Sequence, residues 1–145
     1  MQRLILTLAS AISLAVLGGP PAIFAKADTQ TLTVTASSHG SYDRVTLTFS
    51  AMVPQLTTTA DATPPYGIGS GKDHPIPGCT YYIHASGYAA LDHINNQAAS
   101  PALPVVRGVR TQYFEAELAI DVGLAYPTTY RLSRTGNQVT IEVDL

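Results

Sequence analysis

Strict alternation of apolar and polar residues in four stretches limits the possible folds of this chain more than any other feature of its sequence. The stretches are Leu32–Ala36, Val45–Ser50, Ala116–Val122 and Val139–Asp144. Successive side chains of a β-strand point to opposite faces of a sheet, so a period of two predicts a strand with one buried and one solvated face. Threonine is frequent at the polar positions, which suits a pleated, half-buried surface. No part of residues 28–145 shows the apolar period of an amphipathic helix.

Shorter or less regular strands are predicted at four further places, Thr80–Ala85, Ala89–Asp92, Val105–Gln112 and Thr128–Ser133. Turn-forming residues separate the strands at Ser38–Ser41, at Gly87 and at Arg134–Asn137. The segment Leu91–Ala99 has room for one short turn of helix at most. The sequence therefore predicts an all-β fold, an antiparallel β-sandwich or open barrel of about eight short strands.

The segment Thr57–Gly78 interrupts this pattern. It contains four prolines and four glycines, and it is too long and too broken for a hairpin. Loops of this length are usually functional or mobile. Two interpretations stay open, a functional loop and an insertion without a specific role.

The first 27 residues have the features of a secretory signal peptide. Arg3 supplies a positive start, Leu4–Gly18 is an uncharged apolar run, and a Gly-Gly-Pro-Pro sequence ends it. Small residues fit a signal-peptidase site, with cleavage after Ala27 or, alternatively, after Ala25. The other interpretation is a membrane anchor, but a span needs about 20 apolar residues and the double proline ends the run too early. We therefore expect a signal peptide at residues 1–27.

The mature chain, residues 28–145, is expected to form one domain outside the cytoplasm, with no stable membrane span. Its only cysteine, Cys79, lies far from the cleavage site, so no lipid anchor is expected. One cysteine cannot form an internal disulfide, and we expect Cys79 to be buried and unreactive. Loss of Arg3 and Lys26 changes the formal net charge from −2 to −4. This charge argues against nucleic acid and anionic membrane surfaces as partners.

Motifs of catalytic and metal sites are incomplete throughout the sequence. The glycine-rich Gly67–Lys72 lacks the first glycine and the final Ser or Thr of a phosphate-binding loop. No close zinc-type spacing occurs among the four histidines, His39, His74, His84 and His93. No Gly-x-Ser-x-Gly nucleophile turn is present, and Glu115 and Glu117 are predicted to share an ordinary solvated strand face. We predict no catalytic residue, no metal and no cofactor.

Tyrosine is the aromatic residue that the sequence offers for binding, because its ring is apolar and its hydroxyl is solvated. The chain has eight tyrosines, three phenylalanines and no tryptophan. The candidate binding residues are Tyr66, Tyr81, Tyr82, Tyr88 and Tyr126, together with Arg107 and Arg110. The two adjacent tyrosines of this set are expected to face opposite ways on a strand. The two arginines point to opposite faces unless a bulge at Gly108 intervenes.

Three stretches of the sequence are similar to a known family. Tyr42-Asp43-Arg44 follows a glycine and precedes a hydrophobic strand, Thr111–Leu124 contains Phe-Glu and Gly-Leu, and Thr129–Leu145 ends in Val-Asp-Leu. In this order they resemble the AMIN-like domain of actinobacterial secreted proteins and lipoproteins over residues 40–145. The resemblance implies a β-sandwich without known catalysis, linked by analogy to the cell-wall-targeting AMIN module of peptidoglycan amidases.

The chain departs from the family's pattern in three ways. Ala116 stands where the family often has glycine, Ser133–Gly136 replaces an Asp-Pro-x-Arg sequence, and no lipid-attachment cysteine is present. Residues in the matching motifs are interpreted as framework: Asp43, Arg44, Phe114, Glu115 and Asp144. The Asp-Arg pair can also accept and donate hydrogen bonds at neighbouring strand ends, so we expect it to fix the entry of a strand.

Three functional hypotheses follow from these observations. The first is a secreted, non-enzymatic module that binds cell-envelope material, either peptidoglycan or another glycan. The second is an extracytoplasmic protein-interaction module that uses the segment 57–78 or an exposed sheet edge. The third and weakest is a small hydrolase that uses His84 or His93 with acidic residues.

Overall fold

The computed structural model describes residues 30–91 and 97–145. The predicted signal peptide at residues 1–27 lies outside these residues, as does His93. In the described residues the chain forms nine strands: β1 (Leu32–Ser38), β2 (Tyr42–Phe49), β3 (Thr57–Asp61), β4 (Tyr81–Tyr88), β5 (Gln97–Ala99), β6 (Val106–Phe114), β7 (Glu117–Leu124), β8 (Tyr130–Thr135) and β9 (Gln138–Asp144).

The strands form two antiparallel sheets in a sandwich. One sheet has the order β1-β2-β9-β8 and the other the order β3-β4-β7-β6-β5. The inward positions of both sheets contribute to one buried core, whose largest side chains include Leu47, Phe49, Ile83, Leu118, Ile120 and Ile141. The predicted all-β fold is therefore confirmed, in its sandwich form. Within the described residues, no helix is long and apolar enough to cross a membrane.

Two turns between strands agree with their predictions. Ser38–Ser41 connects β1 to β2, with a positive φ of 82° at Gly40. Gly136 and Asn137 join β8 to β9, and Gly136 has a positive φ of 59°. Glycine adopts this left-handed conformation without the steric cost that a Cβ imposes, so its position marks the turn.

Other local predictions are wrong. Thr57–Asp61 is not loop but strand β3, which pairs with β4 along five residues. Gly87 is not a turn: it lies inside β4, where a Cβ would collide with the carbonyl oxygen of Gln55. Glycine inside a strand commonly marks a close backbone approach, and that reason applies here. No separate strand follows at 89–91, where Leu91 forms only an isolated bridge with Gln30.

The segment between β4 and β6 also differs from its prediction. Residues 97–99 form strand β5 instead of a turn of helix, and residues 92–96 lie outside the described part of the chain. Glu115 and Glu117 do not share a strand face, because Glu115 sits in the two-residue turn between β6 and β7.

Asp43 connects the two sheets. It lies on the inward face of β2 and is fully buried. Its Oδ2 accepts hydrogen bonds from the backbone N–H groups of Val105 and Val106, at 2.8 and 2.9 Å, where β6 begins in the opposite sheet. A carboxylate that accepts two buried backbone hydrogen bonds satisfies donors that would otherwise lack a partner. The side chain therefore fixes the start of β6 relative to β2.

The outward face of the four-stranded sheet carries a network of ion pairs. Arg44 donates to Glu142 Oε1 at 2.6 Å and to the hydroxyl of Tyr42 at 2.9 Å. Arg131 lies 3.6 Å from Glu142 Oε2 and 3.2 Å from Asp144 Oδ1. Because these groups are at least partly solvated, each pair contributes little to the free energy of unfolding. The network orders β2, β9 and β8 side by side.

Truncation of the carboxylate that joins the sheets should cost more stability than any change on the solvated faces. Asp43→Ala leaves two buried N–H groups without an acceptor, and we expect a loss of about 3 kcal/mol or more in the free energy of unfolding. Asp43→Asn keeps an acceptor oxygen and should lose less. Urea denaturation followed by circular dichroism measures both.

The matched control for this experiment is Thr46→Ala, on the outward face of the same strand. It should change the free energy of unfolding by less than about 1 kcal/mol. If Asp43→Ala were no more destabilising than Thr46→Ala, the proposed link between the sheets would not exist.

The backbone of the turn between β6 and β7 is strained, because two residues with a Cβ adopt positive φ there. Glu115 and Ala116 both have positive φ, at 48° and 69°. Two central residues with positive φ define the tight hairpin turn that prefers Asn-Gly or Asp-Gly. A residue with a Cβ pays roughly 1 kcal/mol or more for this conformation. The turn is therefore a site where glycine is better than the native alanine.

Ala116→Gly should raise the free energy of unfolding by about 1 kcal/mol, because it relieves this strain. Thermal unfolding followed by circular dichroism would show a higher midpoint temperature. The control is Ala119→Gly, which lies inside β7 and should lower the midpoint temperature. A decrease for Ala116→Gly would contradict the turn geometry.

Candidate ligand-binding site

The connection between β3 and β4, residues 62–80, lies against the outward face of the five-stranded sheet. Gln112 of β6 holds it with both ends of its amide: Nε2 donates to the carbonyl of Tyr66 and Oε1 accepts from the N–H of Ile68, each at 3.1 Å. Arg110 donates to the carbonyl of His74 at 3.5 Å. The β3–β4 connection is therefore held to β6 by side chains rather than extending into solvent.

Two glycines in the sheet make room for this connection. A Cβ on Gly108 would collide with Cγ2 of Ile76, and a Cβ on Gly123 would collide with Sγ of Cys79. Ile76 is buried, and Cys79 is half-buried. Burial raises the pKa of the Cys79 thiol, so its reactive thiolate is less populated at neutral pH.

The middle of the β3–β4 connection is folded on itself. The hydroxyl of Ser70 and Nε2 of His74 lie 2.8 Å apart and pack over Gly67. Backbone hydrogen bonds join Gly67 to Lys72 and Gly71 to Gly67, both at 2.8 Å. The glycines that make this sequence look like a phosphate loop instead permit a compact turn.

A cleft of about 380 Å³ opens between the β3–β4 connection and the sheet. The connection supplies one wall, and the outward residues of β4 and β7 supply the floor. The side chains that line it are Tyr66, Ile68, His84, Ser86, Glu117, Ala119 and Asp121. This volume falls within the range of roughly 300–1,000 Å³ that is usual for small-molecule sites.

His84 lies between two carboxylates at one end of the cleft. Its Nδ1 is 2.7 Å from Oδ1 of Asp121, and its Nε2 is 3.4 Å from Oδ1 of Asp61. Burial raises the pKa of Asp121, although the hydrogen bond with His84 acts in the opposite direction. A hydrogen bond from the backbone of Thr63 lowers the pKa of Asp61. The cleft floor is thus acidic, with one imidazole held in a fixed orientation.

Two exposed aromatic residues lie beside the other end of the cleft, outside its lining. Strand register places Tyr88 of β4 and Phe114 of β6 on either side of Glu117 of β7. Tyr88 is 78% exposed and Phe114 is 48% exposed. Tyr66, in the wall of the cleft, is 61% exposed. The three rings and the carboxylate of Glu117 therefore belong to one face of the molecule.

One residue of the predicted binding set lines this cleft. It is Tyr66, whereas Tyr88 is not among the lining residues and lies next to Glu117 in the strand register. Phe114 was assigned to the framework, yet its ring is half exposed beside Glu117 and the β3–β4 connection at Gly69. The sequence assigned no binding role to Glu117 or Asp121. The only indication in the sequence was that both lie at outward positions of the alternating strand β7, and such positions also fit an ordinary solvated face.

Two adjacent tyrosines of the predicted set are not available to a ligand. Tyr82 is 2% exposed and its hydroxyl donates to the carbonyl of Cys79. Tyr81 packs against the core, and its hydroxyl donates to the carbonyl of Ala60. Both rings point to opposite faces, as expected, but the β3–β4 connection covers the outward one.

The remaining predicted residues do not join the cleft. Arg107 occupies a β-bulge between Val106 and Gly108, beside the expected position, and donates to the carbonyl of Pro104. Tyr126 follows the far end of β7, about 20 Å along the strand from Glu117. Arg110 contacts a different pocket, between the β3–β4 connection and β5.

Among the residues that the structure describes, no group of three or more His, Cys, Asp or Glu side chains is arranged to hold a metal ion. The chain matches no protein-family model, no curated protein and no solved structure.

Displacement of the β3–β4 connection should be detectable at the native cysteine. Gly108→Ala places a methyl group against Ile76, so we expect the connection to shift and Cys79 to react several-fold faster with a thiol reagent. Ile76→Ala should have the same effect, because it removes the contact. The rate is followed spectrophotometrically at constant, neutral pH.

The control for the thiol experiment is Gly69→Ala in the same connection. There a new Cβ would meet Phe114 at an ordinary contact distance of 3.7 Å, so the modification rate should not change. An unchanged rate in Gly108→Ala would show that the connection is not seated on the sheet as described.

Proposed function

We propose that this protein is a secreted, non-enzymatic binding module for cell-envelope glycan, with peptidoglycan as the first candidate. The observation that carries the proposal is the cleft under the β3–β4 connection, with Tyr66 in its wall, an acidic floor, and two further exposed aromatic residues beside Glu117. The export leader expected at residues 1–27 and the resemblance to AMIN-like domains favour an extracytoplasmic ligand. Both remain part of the proposal.

The chemistry of the cleft suits a sugar. Tyr66 and Tyr88 present apolar ring faces with solvated hydroxyls, which can pack on the C–H faces of a pyranose ring. The carboxylates of Glu117 and Asp121 accept hydrogen bonds, and sugar hydroxyls donate them. A few fixed polar groups in a largely preformed concave site are typical of small-ligand binding. The side-chain hydrogen bonds of Gln112 keep the wall in place before the ligand arrives.

A binding role is favoured over hydrolysis by the surroundings of His84. Both of its ring nitrogens face carboxylates, at 2.7 and 3.4 Å. A general base needs a nitrogen within hydrogen-bond reach of the substrate, whereas here the imidazole bridges β3, β4 and β7. We therefore propose that His84 positions the floor of the cleft.

A protein-interaction module is the second candidate, and one observation favours it. Strand β1 is an edge of the four-stranded sheet, and its seven residues include no charged side chain. An uncharged edge strand offers free backbone groups to an added strand from a partner. The segment proposed for such contacts shortens to residues 62–78, because Thr57–Asp61 belongs to the sheet.

Sedimentation with purified cell-wall sacculi tests the glycan proposal. The mature protein should be retained on sacculi stripped of protein, and Tyr88→Ala or Tyr66→Ala should weaken retention roughly tenfold, since each removes an aromatic contact. Tyr126→Ala is the matched control, because Tyr126 is 44% exposed but distant from the cleft, and it should bind like the parent protein.

Two results of the sedimentation experiment would overturn the glycan proposal. One is recovery of all the protein in the supernatant, with retention only on sacculi that keep their attached proteins, as the interaction module predicts. The other is equal retention of Tyr88→Ala, Tyr66→Ala and the parent protein.

A further inference from the structure

We propose that the Glu117 end of the cleft binds a protonated amino group, so that the preferred glycan carries unacetylated amino sugars. This inference rests on the proposed glycan-binding function and specifies its ligand. Three observations support it: the placement of two aromatic rings around one carboxylate, the charge of the cleft lining, and the position of the nearest arginine.

The first observation is the cross-strand geometry. Tyr88 and Phe114 are both register partners of Glu117, on the strands that flank β7. Neighbouring strands lie about 4.8 Å apart, so the backbone positions of Tyr88 and Phe114 flank Glu117 at about that spacing on one face of the sheet. A cation bound at Glu117 is therefore within reach of both residues, and an aromatic ring attracts a cation at up to about 6 Å from its centroid.

The second observation is the charge of the lining. Glu117 and Asp121 line the cleft, and Asp61 lies beyond His84 at its far end. No lysine or arginine belongs to the lining among the described residues. A concave surface with one sign of charge concentrates ligands of the opposite sign. An ammonium group is therefore attracted to this lining.

The third observation concerns Arg110, the cation closest to this floor in the sheet. It pairs with Asp121 in the strand register, but its guanidinium donates to the carbonyl of His74. It lines the separate pocket beside β5 rather than the cleft. Its charge acts on Asp121, where burial raises the pKa of the carboxyl group and the guanidinium lowers it. At the other end of β7, Glu117 forms no ion pair with a lysine or arginine among the described residues.

An unacetylated amino sugar matches these features better than its acetylated form. Its pyranose ring can pack on Tyr66 in the wall, and its ammonium group can sit over Glu117 between the two outer rings. The N-acetyl group is neutral, so it gains neither the ion pair nor the cation–π contacts. The site therefore discriminates between two forms of one sugar by a single positive charge.

The test compares two oligosaccharides of equal length, an oligomer of glucosamine and the corresponding oligomer of N-acetylglucosamine. Isothermal titration calorimetry with the mature protein at mildly acidic pH, where the amine is protonated, gives both affinities. We expect about tenfold tighter binding of the glucosamine oligomer, as two cation–π contacts and an ion pair would give. This preference should shrink as salt is added.

Glu117→Gln keeps the size of the side chain and removes its charge. It should reduce the preference to the part that the two aromatic rings supply, while leaving the affinity for the N-acetylated oligomer within about twofold, since its hydrogen-bonding capacity remains. Asp144→Asn, on the other sheet, is the matched control for a lost carboxylate and should keep the preference. Circular dichroism verifies that both variants fold.

Failure of this inference can be distinguished from failure of the proposed function. Equal affinity for the two oligomers, or an unchanged preference in Glu117→Gln, would overturn the amine site while sacculus binding still supports a glycan module. Equally tight binding of a lysine oligomer would overturn the assignment of an amino sugar as the ligand, because a protonated amino group alone would then suffice. Binding to neither oligomer and to no sacculi would overturn both proposals.

Discussion

The buried carboxylate of Asp43 is the contact on which the arrangement of the two sheets depends. Its Oδ2 accepts from two consecutive backbone N–H groups at the start of β6, while its Oδ1 is buried without a hydrogen-bond partner among the described residues. Burial of a charged group is costly unless it is well bonded. The carboxylate is therefore compatible with this buried position only when the start of β6 lies against it. The apolar core supplies most of the favourable energy, and Asp43 fixes how the sheets are placed against one another.

The candidate site inherits its geometry from that placement. Because β6 begins at a fixed point, Gln112 and Gly108 lie under the β3–β4 connection. Gln112 forms hydrogen bonds with the connection, and Gly108 has no side chain, which leaves room for Ile76. The cleft forms between this connection and the floor of β4 and β7. The inner faces of the sheets thus form the core, and the outward face of the five-stranded sheet forms the floor of the candidate binding cleft.

The sequence predicted the fold because alternation reports directly on which side chains face the core. It was less informative where a residue has two possible roles. Gly87 was interpreted as a turn, but it marks the approach of Gln55 to a strand. Glu115 was predicted to lie on a strand, because Phe-Glu-Ala-Glu contains none of the Asn or Gly residues that usually indicate a turn with positive φ. The aromatic pair around Glu117 depends on the register of three strands, which a pattern along one strand does not specify.

The claim that Asp43 anchors β6 has a direct spectroscopic test, hydrogen exchange of individual backbone amides measured by NMR. The amides of Val105 and Val106 precede or begin a strand, where fraying would normally make exchange fast. If the carboxylate holds them, their exchange should be as slow as that of amides in the middle of β7. Exchange at the rate of an exposed loop amide would contradict the account, because the start of β6 would then be free of the opposite sheet.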